Sequence, residues 1–524
     1  MAGSDFVVVG SGINSLVCAA LLARAGRSVV VLERNDRLGG CIRTEELFPG
    51  YTHDVLSSWY PLFVTSPAYA ALGDDLHARG LEFANSDKPT AVVNDTGSLI
   101  LTTDDQSNWA RLDDASPGDG ERYAAAIGGF FAENSEIAFS LLGNELWGRQ
   151  TLRTIYGDSR KRGLSGTFEF FGQSLETCRA WLERDFSSEL VQGLIAPWVL
   201  HAGLGPDDAF SGLMAKLIMG TLSLAGMPVV KGGSYQIVEA FRSLIEDHGG
   251  VLVTGTEVDS VIIENGRALG VTTAAGEDYL ASKAVICNVT PTQLFQRLLS
   301  KGEVSAEAIR RTEGFRYGRA DMQIHFALDD TPEWHDPELA EVAMVHLTRG
   351  LNGVSRSVNE ATRGLLPAEA TVVVGQPTAV DPSRAPEDKA IMWIQLQELP
   401  ARIRGDAADE IAVPEDGRWT NDIAERYADR IQARIADHVG NFDEIVVGRS
   451  VFSPADLETL NPNLVGGDPY SGSCTIDQFL AWRPTPGSRN HETGIKNLFQ
   501  IGASTHPGPG LGGNSGFMVA SKFV

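Results

Sequence analysis

Cysteine is scarce. The 524 residues contain five, Cys18, Cys41, Cys178, Cys287 and Cys474, widely separated and odd in number. None falls in a C-x-x-C or metal-ligand spacing, which excludes a disulfide framework, a redox dithiol and a cysteine-built metal site. Positive charge is also in deficit: 43 Lys and Arg face 68 Asp and Glu, a formal charge of −25. Such a surface repels polyanions, so nucleic-acid binding is not expected. No uninterrupted apolar run reaches the roughly 18 residues of a transmembrane segment, and the N-terminus has neither the basic start nor the apolar core of a signal peptide. A soluble, intracellular, cytoplasmic protein is expected. With 43% hydrophobic and 21% charged residues the composition is that of an ordinary globular chain, long enough for two or three domains.

Glycine, by contrast, is plentiful and placed. The stretch "VVVGSGINSL" at 7–16 reads as a buried strand (Asp5–Val9), a tight turn and the start of a helix (Asn14–Ala25), followed by a second strand (Ser28–Leu32). Gly10 makes the turn and Gly12 lets the backbone approach a pyrophosphate; the third position, where glycine is usual, holds Ser15, small enough for helix to lie on strand. Glu33 ends the second strand 21 positions after Gly12, close to the roughly 20 at which an acid accepts hydrogen bonds from a ribose. Strand, helix, strand and acid in register predict a dinucleotide site. No second such glycine turn follows a strand, so a separate nicotinamide site is not expected.

After Trp59 the pattern turns helical, including "SPGDGERYAAAIGGFFAENSEIAFSLL", where Ser116 is the predicted N-cap and Pro117 the first helical residue. Strand–helix character returns at Val229, with a helix over Gln236–Glu246 and strands over Val251–Thr254, Val258–Ile263, Ala268–Thr273 and Ala284–Cys287. A mixed stretch spans 311–449. The end, "NLFQIGASTHPGPGLGGNSGFMVASKFV", is again strand, glycine turn and helix. The predicted fold class is α/β: a Rossmann-like dinucleotide-binding domain assembled from 1–65, 226–310 and 446–524, with an inserted mixed α+β substrate domain from 66–225 and 311–445.

"ERNDRLGGCIRTEE" resembles the R-x-G-G signature that follows the dinucleotide fingerprint in the FAD-dependent amine-oxidase and phytoene-desaturase superfamily. "GASTHPGPGLGG" resembles the C-terminal flavin motif of its carotenoid-desaturase branch, which includes the pyridine nucleotide-disulphide oxidoreductase domain-containing proteins. "NPNLVGGD" and "RPTPGSRN" are similar to that branch as well. The chain departs from the pattern at Ser15 and in the proline and leucine that interrupt "HPGPGLGG".

The resemblance implies non-covalently bound FAD, with Gly10, Gly12, Ile13 and Asn14 along the pyrophosphate, and Glu33 and Arg34 at the adenosine end. It implies Gly39, Gly40 and Arg43 (with Arg37 nearby) in a second phosphate-contacting turn, and the Val258 backbone against adenine. Ser57 and Ser58, with His53, fall where the family's chain passes the flavin, and Gly502, Gly512, Gly513 and Asn514 at the turn and helix end beside the isoalloxazine. His201 and His506 are the candidate catalytic residues, histidine being the side chain best able to take a proton near neutral pH; a hydrogen-bonded structural role is the alternative for each. Tyr60, Phe168, Phe170, Phe171, Trp198, Met214, Met219 and Trp393 are candidates for an apolar cavity wall.

The expected activity is an FAD-dependent oxidoreductase, a desaturase, dehydrogenase or oxidase, passing hydride from an apolar or aromatic small molecule to flavin N5 and reoxidised by oxygen or a quinone. A redox-neutral flavin isomerase and a non-enzymatic binding protein on the same scaffold, as in the Rab GDP-dissociation inhibitors, are the alternatives. No metal is expected, and the oligomeric state is open.

Overall fold

Valine-rich strands buried on both faces, alternating with apolar helices, build a parallel sheet wherever the crossovers allow it. A computed structural model, describing residues 3–299 and 306–524, shows two seven-stranded sheets. In the first, β1 (Ser4–Val9) lies between β2 (Val29–Leu32) and the strand Asp278–Cys287, parallel to both. Val251–Val253 extends it beyond β2, and Leu498–Gln500 joins Asp278–Cys287 in parallel. The meander Val258–Glu264 and Arg267–Thr273 pairs antiparallel with the early half of Asp278–Cys287. That strand is therefore longer than its apolar end predicts, because its first residues, Asp278–Leu280, pair with Arg267–Thr273 of the meander.

Helix α1 (Ile13–Arg24) and the helix Tyr235–Asp247 pack together on this sheet, their inward residues forming one core cluster. The predicted helix after Pro117 begins later, at Asp119. Gly118, at φ 88°, occupies the N-cap, and Ser116 instead closes the preceding helix and bonds Ser187 Oγ.

The second sheet runs Val446–Phe452, Ala320–Leu328, Ala390–Leu399, Val372–Gly375, Met344–Leu347, Thr90–Asn94 and Gly97–Leu101. Val446–Phe452 thus belongs with the second sheet, although the sequence places 446 at the start of an FAD-binding segment; its antiparallel partner is Ala320–Leu328. Cross-strand partners share a face. Gln323, Gln395, Val373 and His346 form one row across this sheet, and His325, Trp393, Gly375 and Met344 the next row on that face.

The hairpin β3 (Thr44–Phe48) and β4 (Tyr51–Asp54) joins the two sheets. At its end, fully buried Asp54 pairs with fully buried Arg384, which also donates to Val230 O (2.7 Å) and Asp381 Oδ2 (3.2 Å). Asp54 further accepts from Thr44 Oγ1, Ser58 Oγ and the Ser234 amide. Removing one member of a buried, hydrogen-bonded pair costs about 3–5 kcal/mol, because the other charge is stranded. Arg384→Met is expected to cost that much in chemical unfolding, and a loss below about 1 kcal/mol would contradict the role given to the pair.

Beside this pair His53 packs edge-on to His325, with ring centroids 5.3 Å apart, and neither ring is exposed. Neither His53 nitrogen has a partner, whereas His325 Nε2 bonds the Val55 carbonyl at 3.1 Å. His53 therefore lies in the joint between the sheets, not against a cofactor as the sequence led us to expect. Burial pushes His53 down to about 2 and His325 down to about 4, so both are neutral in the fold and titrate normally when unfolded. Below pH ~6.5 the unfolded chain binds protons that the native state refuses, so stability falls with pH from ~6.5 to ~4, by about 1.4 kcal/mol per pH unit per histidine. His53→Phe is expected to shrink the Tm difference between pH 7 and pH 5; an unchanged difference would show that His53 is protonated in the fold.

Candidate active site

Three chain segments converge at the C-terminal edge of the first sheet, where ligands of open α/β folds bind. Gly10 and Gly12 leave β1, Gly39 and Gly40 follow β2, and Asn288 follows Asp278–Cys287. Glu33, at the end of β2, is buried and accepts from the Ser11 amide (2.9 Å), Ser11 Oγ (2.6 Å) and the Asn35 amide (2.9 Å). Ser11 Oγ accepts in turn from the Gly39 amide (3.0 Å). Glu33 is thus first a brace between the glycine turns, with three of a carboxylate's roughly four lone-pair positions used and one left. Gly40 lies so close that a Cβ on it would stand 3.1 Å from Gly12 Cα.

Asn288, which the sequence did not single out, is central. Its amide donates to Val9 O (2.9 Å) and its Nδ2 to Ser15 Oγ (2.9 Å). Ser15 is therefore more than a small substitute for glycine: its hydroxyl ties α1 to the end of a neighbouring strand. A Cβ on Gly502, whose φ is 109°, would meet Asn288 Oδ1 at 2.3 Å, so only glycine lets the C-terminal turn close onto this asparagine. Asn14 makes the second tie: its Oδ1 accepts from Ser515 Oγ (2.8 Å), while Ser515 Oγ accepts from the Gly502 amide (2.8 Å). Asn14 thus joins α1 to the short helix Asn514–Ala520, whose N-cap is Gly513; Gly512 lies beside the Leu62 carbonyl.

The remaining predicted residues are distributed unevenly. Ile13 opens α1 with its side chain in the core, and Val258 is buried with its carbonyl accepting from Arg297, which leaves only backbone for a ligand. Arg43 is paired with Glu45, Arg37 lies over the Tyr235 ring at 4.6 Å, and Arg34 is exposed. Ser57 Oγ donates to the Cys41 carbonyl (2.7 Å), linking its segment to the R-x-G-G turn, but the Ser58 hydroxyl is committed to Asp54.

On the second-sheet side, His201 lies in the short helical segment Ala196–Ala202, partly exposed, with the Trp198 ring 4.5 Å away and tilted by 30°. Its Nε2 is 3.0 Å from Nε2 of His346, a buried strand histidine that the sequence reading missed, although a polar residue inside "AMVHL" marks the position. Burial pushes His201 down to about 3, and burial, then His201, pushes His346 well below its ordinary range. Both are neutral at pH 7, one donating and one accepting. His506 is differently placed: its Nε2 bonds the Asn144 carbonyl (3.0 Å), its own carbonyl accepts from His491 Nε2 (2.8 Å), and burial pushes it down to about 4.

Trp198, Met219 and Trp393 share one core cluster, with Met214 packed against it, and Trp393 Nε1 donates to the Leu56 carbonyl (3.1 Å). Tyr60 and Phe170 are buried elsewhere. Phe168 and Phe171 are 72% and 42% exposed, so they line no cavity; both fall on the outward face of their helix.

A strand–turn–helix nucleotide cradle opposed by a second sheet is the architecture of FAD-dependent oxidoreductases. Two features here fit the flavin dinucleotide: the glycine turns are tight, a Cβ standing 3.2 Å from Asn288 Nδ2 at Gly12, 3.1 Å from Gly12 Cα at Gly40 and 2.3 Å from Asn288 Oδ1 at Gly502, and Asn514 Oδ1 at the C-terminal turn is buried without a partner. The chain belongs to the flavin-containing amine oxidoreductase family, whose model matches residues 16–416. Over 98% of its length it is 25% identical to a limonene dehydrogenase polypeptide of Castellaniella defragrans, covering 93% of that protein. It is 26% identical, over 98% of the chain and 92% of the relative, to pyridine nucleotide-disulfide oxidoreductase domain-containing protein 2 of Rattus norvegicus. A zeta-carotene-forming phytoene desaturase of Myxococcus xanthus is 25% identical over 97% of the chain and 91% of that protein. In fold it is similar to a solved oxidoreductase from Methanosarcina mazei, with a TM-score of 0.61, 16% identity and 99% of each chain covered. It is an FAD-dependent oxidoreductase.

Ser15→Gly removes the acceptor of Asn288 Nδ2 and puts a glycine in the first turn of α1. The expected cost is about 1–2 kcal/mol of stability, together with weaker FAD retention on gel filtration. Retention and Tm both equal to wild type would reduce Ser15 to a space-filler.

Proposed function

We propose that the protein dehydrogenates a neutral, largely apolar or aromatic small molecule, with electrons leaving to oxygen or a quinone. The observation that carries this reading is the closure of the N- and C-terminal glycine turns onto Asn288, beside a wall of aromatic and uncharged polar side chains. FAD, bound non-covalently, supplies the two-electron acceptor. Gly10, Gly12, Ile13 and Asn14 present backbone to its pyrophosphate, the spare Glu33 position and the Val258 backbone serve the adenosine end, and Gly39, Gly40 and Arg43 the second turn. Gly502, Gly512, Gly513 and the unpartnered Asn514 carbonyl serve the ring end. Arg34 and Ser58, both included by resemblance, find no support as contacts of their side chains. Chain segments 1–65, 226–310 and 453–524 are assigned to this half, and 66–225 with 311–452 to the substrate half.

His201 is the substrate-facing histidine. Trp198 stacks it, His346 holds its Nε2, and its Nδ1 has no partner among the described residues, so that nitrogen is the one a substrate meets. Gln395 is the second contact: its Nε2 donates to Asp321 Oδ2 (2.6 Å), its Oε1 accepts from Gln397 (3.3 Å), and it is partly exposed on a strand otherwise buried. One spare donor and one spare acceptor on a fixed amide suit a substrate with a single hydroxyl or carbonyl on an apolar body. His506 serves as an anchor of the ring-end turn rather than a proton carrier, because its Nε2 is engaged with Asn144.

The protein is expected to purify yellow and to release its flavin into the supernatant on acid precipitation; flavin in the pellet would overturn non-covalent binding. His201→Ala is expected to keep the flavin spectrum and slow anaerobic reduction by substrate by about 10²-fold or more, the contribution of a positioned acid, base or orienting group. Because His201 stays neutral from about pH 3 upward, the wild-type reduction rate should show no inflection near pH 6.5 that disappears in His201→Ala. Wild-type reduction by the variant would leave His201 a structural residue.

A further inference from the structure

The helix Arg149–Ser174 differs from its surroundings in charge and in exposure. It carries Arg149, Arg153, Arg160, Lys161 and Arg162 against Asp158 and Glu169 alone, in a chain whose formal charge is −25. Arg149 and Arg153 are exposed and have no ion-pair partner among the described residues, Arg160 lies over the Tyr156 ring at 5.9 Å, and Lys161 meets only the exposed Glu136.

The helix breaks at Gly163 (φ 73°, ψ 172°) into two halves. On the second, Leu164, Phe168, Phe171 and Leu175 recur at i, i+4, i+7 and i+11, the spacing of one helical face. They are 76%, 72%, 42% and 50% exposed. On the first half Leu152 and Tyr156 are 53% and 65% exposed. Phe170 is buried and faces the other way, under the Arg162 guanidinium at 5.1 Å. The helix buries Thr151, Phe170 and Ser174, so its contact with the protein is made through those positions while the larger apolar side chains are turned to solvent. Trp147, at the N-terminal end, is half exposed with Arg489 against its ring at 5.5 Å.

Isolated exposed leucines need no explanation, but six large apolar side chains on one kinked helix, flanked by unpaired arginines, do. We propose that this helix is a docking surface for an anionic lipid bilayer, lying in the plane of the headgroups with Leu164, Phe168, Phe171 and Leu175 in the acyl boundary and the arginines on lipid phosphates. Charge complementarity selects this occupant. The rest of the protein is strongly acidic and would be repelled by an anionic surface, so the positive helix orients the approach; a two-fold dimer through this face would bring the same positive helix against itself. No helix among the described residues is long and apolar enough to cross a membrane, so the association is interfacial.

The test uses the FAD-loaded full-length protein in sedimentation with vesicles of phosphatidylcholine alone and of phosphatidylcholine mixed equally with phosphatidylglycerol. Binding is expected to the mixed vesicles only and to weaken as salt is raised, since the phosphate contacts are screened. Leu164→Glu/Phe168→Glu, at positions whose exposure leaves the core untouched, should lower the bound fraction about tenfold or more. Arg153→Gln/Arg160→Gln/Lys161→Gln should remove the preference for anionic lipid, each charge near the surface being worth about a fivefold change. Both variants should retain flavin absorbance and Tm. The proposal is overturned if wild-type protein stays in solution with both vesicles, or if the variants sediment as wild type does. It is equally overturned if light scattering shows a dimer that Leu164→Glu/Phe168→Glu dissociates while vesicles capture nothing, which would make the face an interface between copies.

Discussion

The buried ion pair of Asp54 and Arg384 is the constraint on which the relation between the two sheets depends. A buried pair is a poor source of net stability, because desolvating two charges offsets most of their attraction. Its effect is geometric. The Asp54 carboxylate is compensated without exposure because Arg384, Thr44, Ser58 and the Ser234 amide all reach it. Those groups come from the hairpin, the segment after it, the glycine turn before the helix Tyr235–Asp247, and the short turn Pro382–Arg384 of the second-sheet half. Any slip between the halves strands a charge. The position of Ser57 and of Trp59, which touch the R-x-G-G turn and the second sheet respectively, follows from that fixed point.

A cleft built from chain ends nearly five hundred residues apart needs a different device, and here it is a pair of asparagines. Asn14 Oδ1 accepts from Ser515 Oγ, which accepts in turn from the Gly502 amide, and Asn288 Nδ2 donates to Ser15 Oγ while its Oδ1 takes the space a side chain on Gly502 would fill. A hydrophobic contact would be non-directional at this place; an amide has a fixed donor and a fixed acceptor, so it sets the spacing of the turns. The arrangement also explains why the helix Asn514–Ala520 can be only seven residues long and still be placed. Gly516 fits so tightly on α1 that a Cβ would stand 1.9 Å from the Asn14 carbonyl, and two turns of helix suffice when backbone meets backbone.

The first nucleotide unit was legible because its signals are local: strand, turn, helix and Glu33 lie within thirty residues and obey a fixed spacing. The C-terminal turn was legible for the same reason. What stayed hidden depends on pairing across long separations. His346 and Gln395 acquire meaning only as members of a row across the second sheet, and periodicity within one strand cannot show which residue lies opposite. Asn288 stands in an unremarkable "CNVT", and only the glycines it faces mark it. The aromatic residues misled in the opposite direction. Phe168 and Phe171 carry the composition of a cavity wall, yet they are exposed while Phe170 between them is buried, and residue type alone does not say which side of a helix packs inward. His53, close in sequence to the R-x-G-G turn, is carried by the hairpin into the joint between sheets.

The electrostatics of the substrate side then narrow what can be bound there. The chain's formal negative charge is large, while on the His201 side of the second sheet burial holds His201 and His346 neutral and raises the Asp321 carboxyl well above its ordinary range. Asp321 keeps one oxygen unpartnered, as do Gln323 and Gln397. A protonated amine placed among these groups would have to draw Asp321 into its ionised form to gain a counter-charge, and would otherwise lose its hydration at a penalty of several kcal/mol. A neutral molecule incurs none of it, and one hydrogen-bonding group on that molecule would satisfy acceptors that otherwise stay bare. Membership of the flavin-containing amine oxidoreductase family therefore carries the flavin chemistry of this protein, whereas our proposal of a neutral substrate rests on the uncharged state of His201 and His346 and on the raised Asp321 carboxyl.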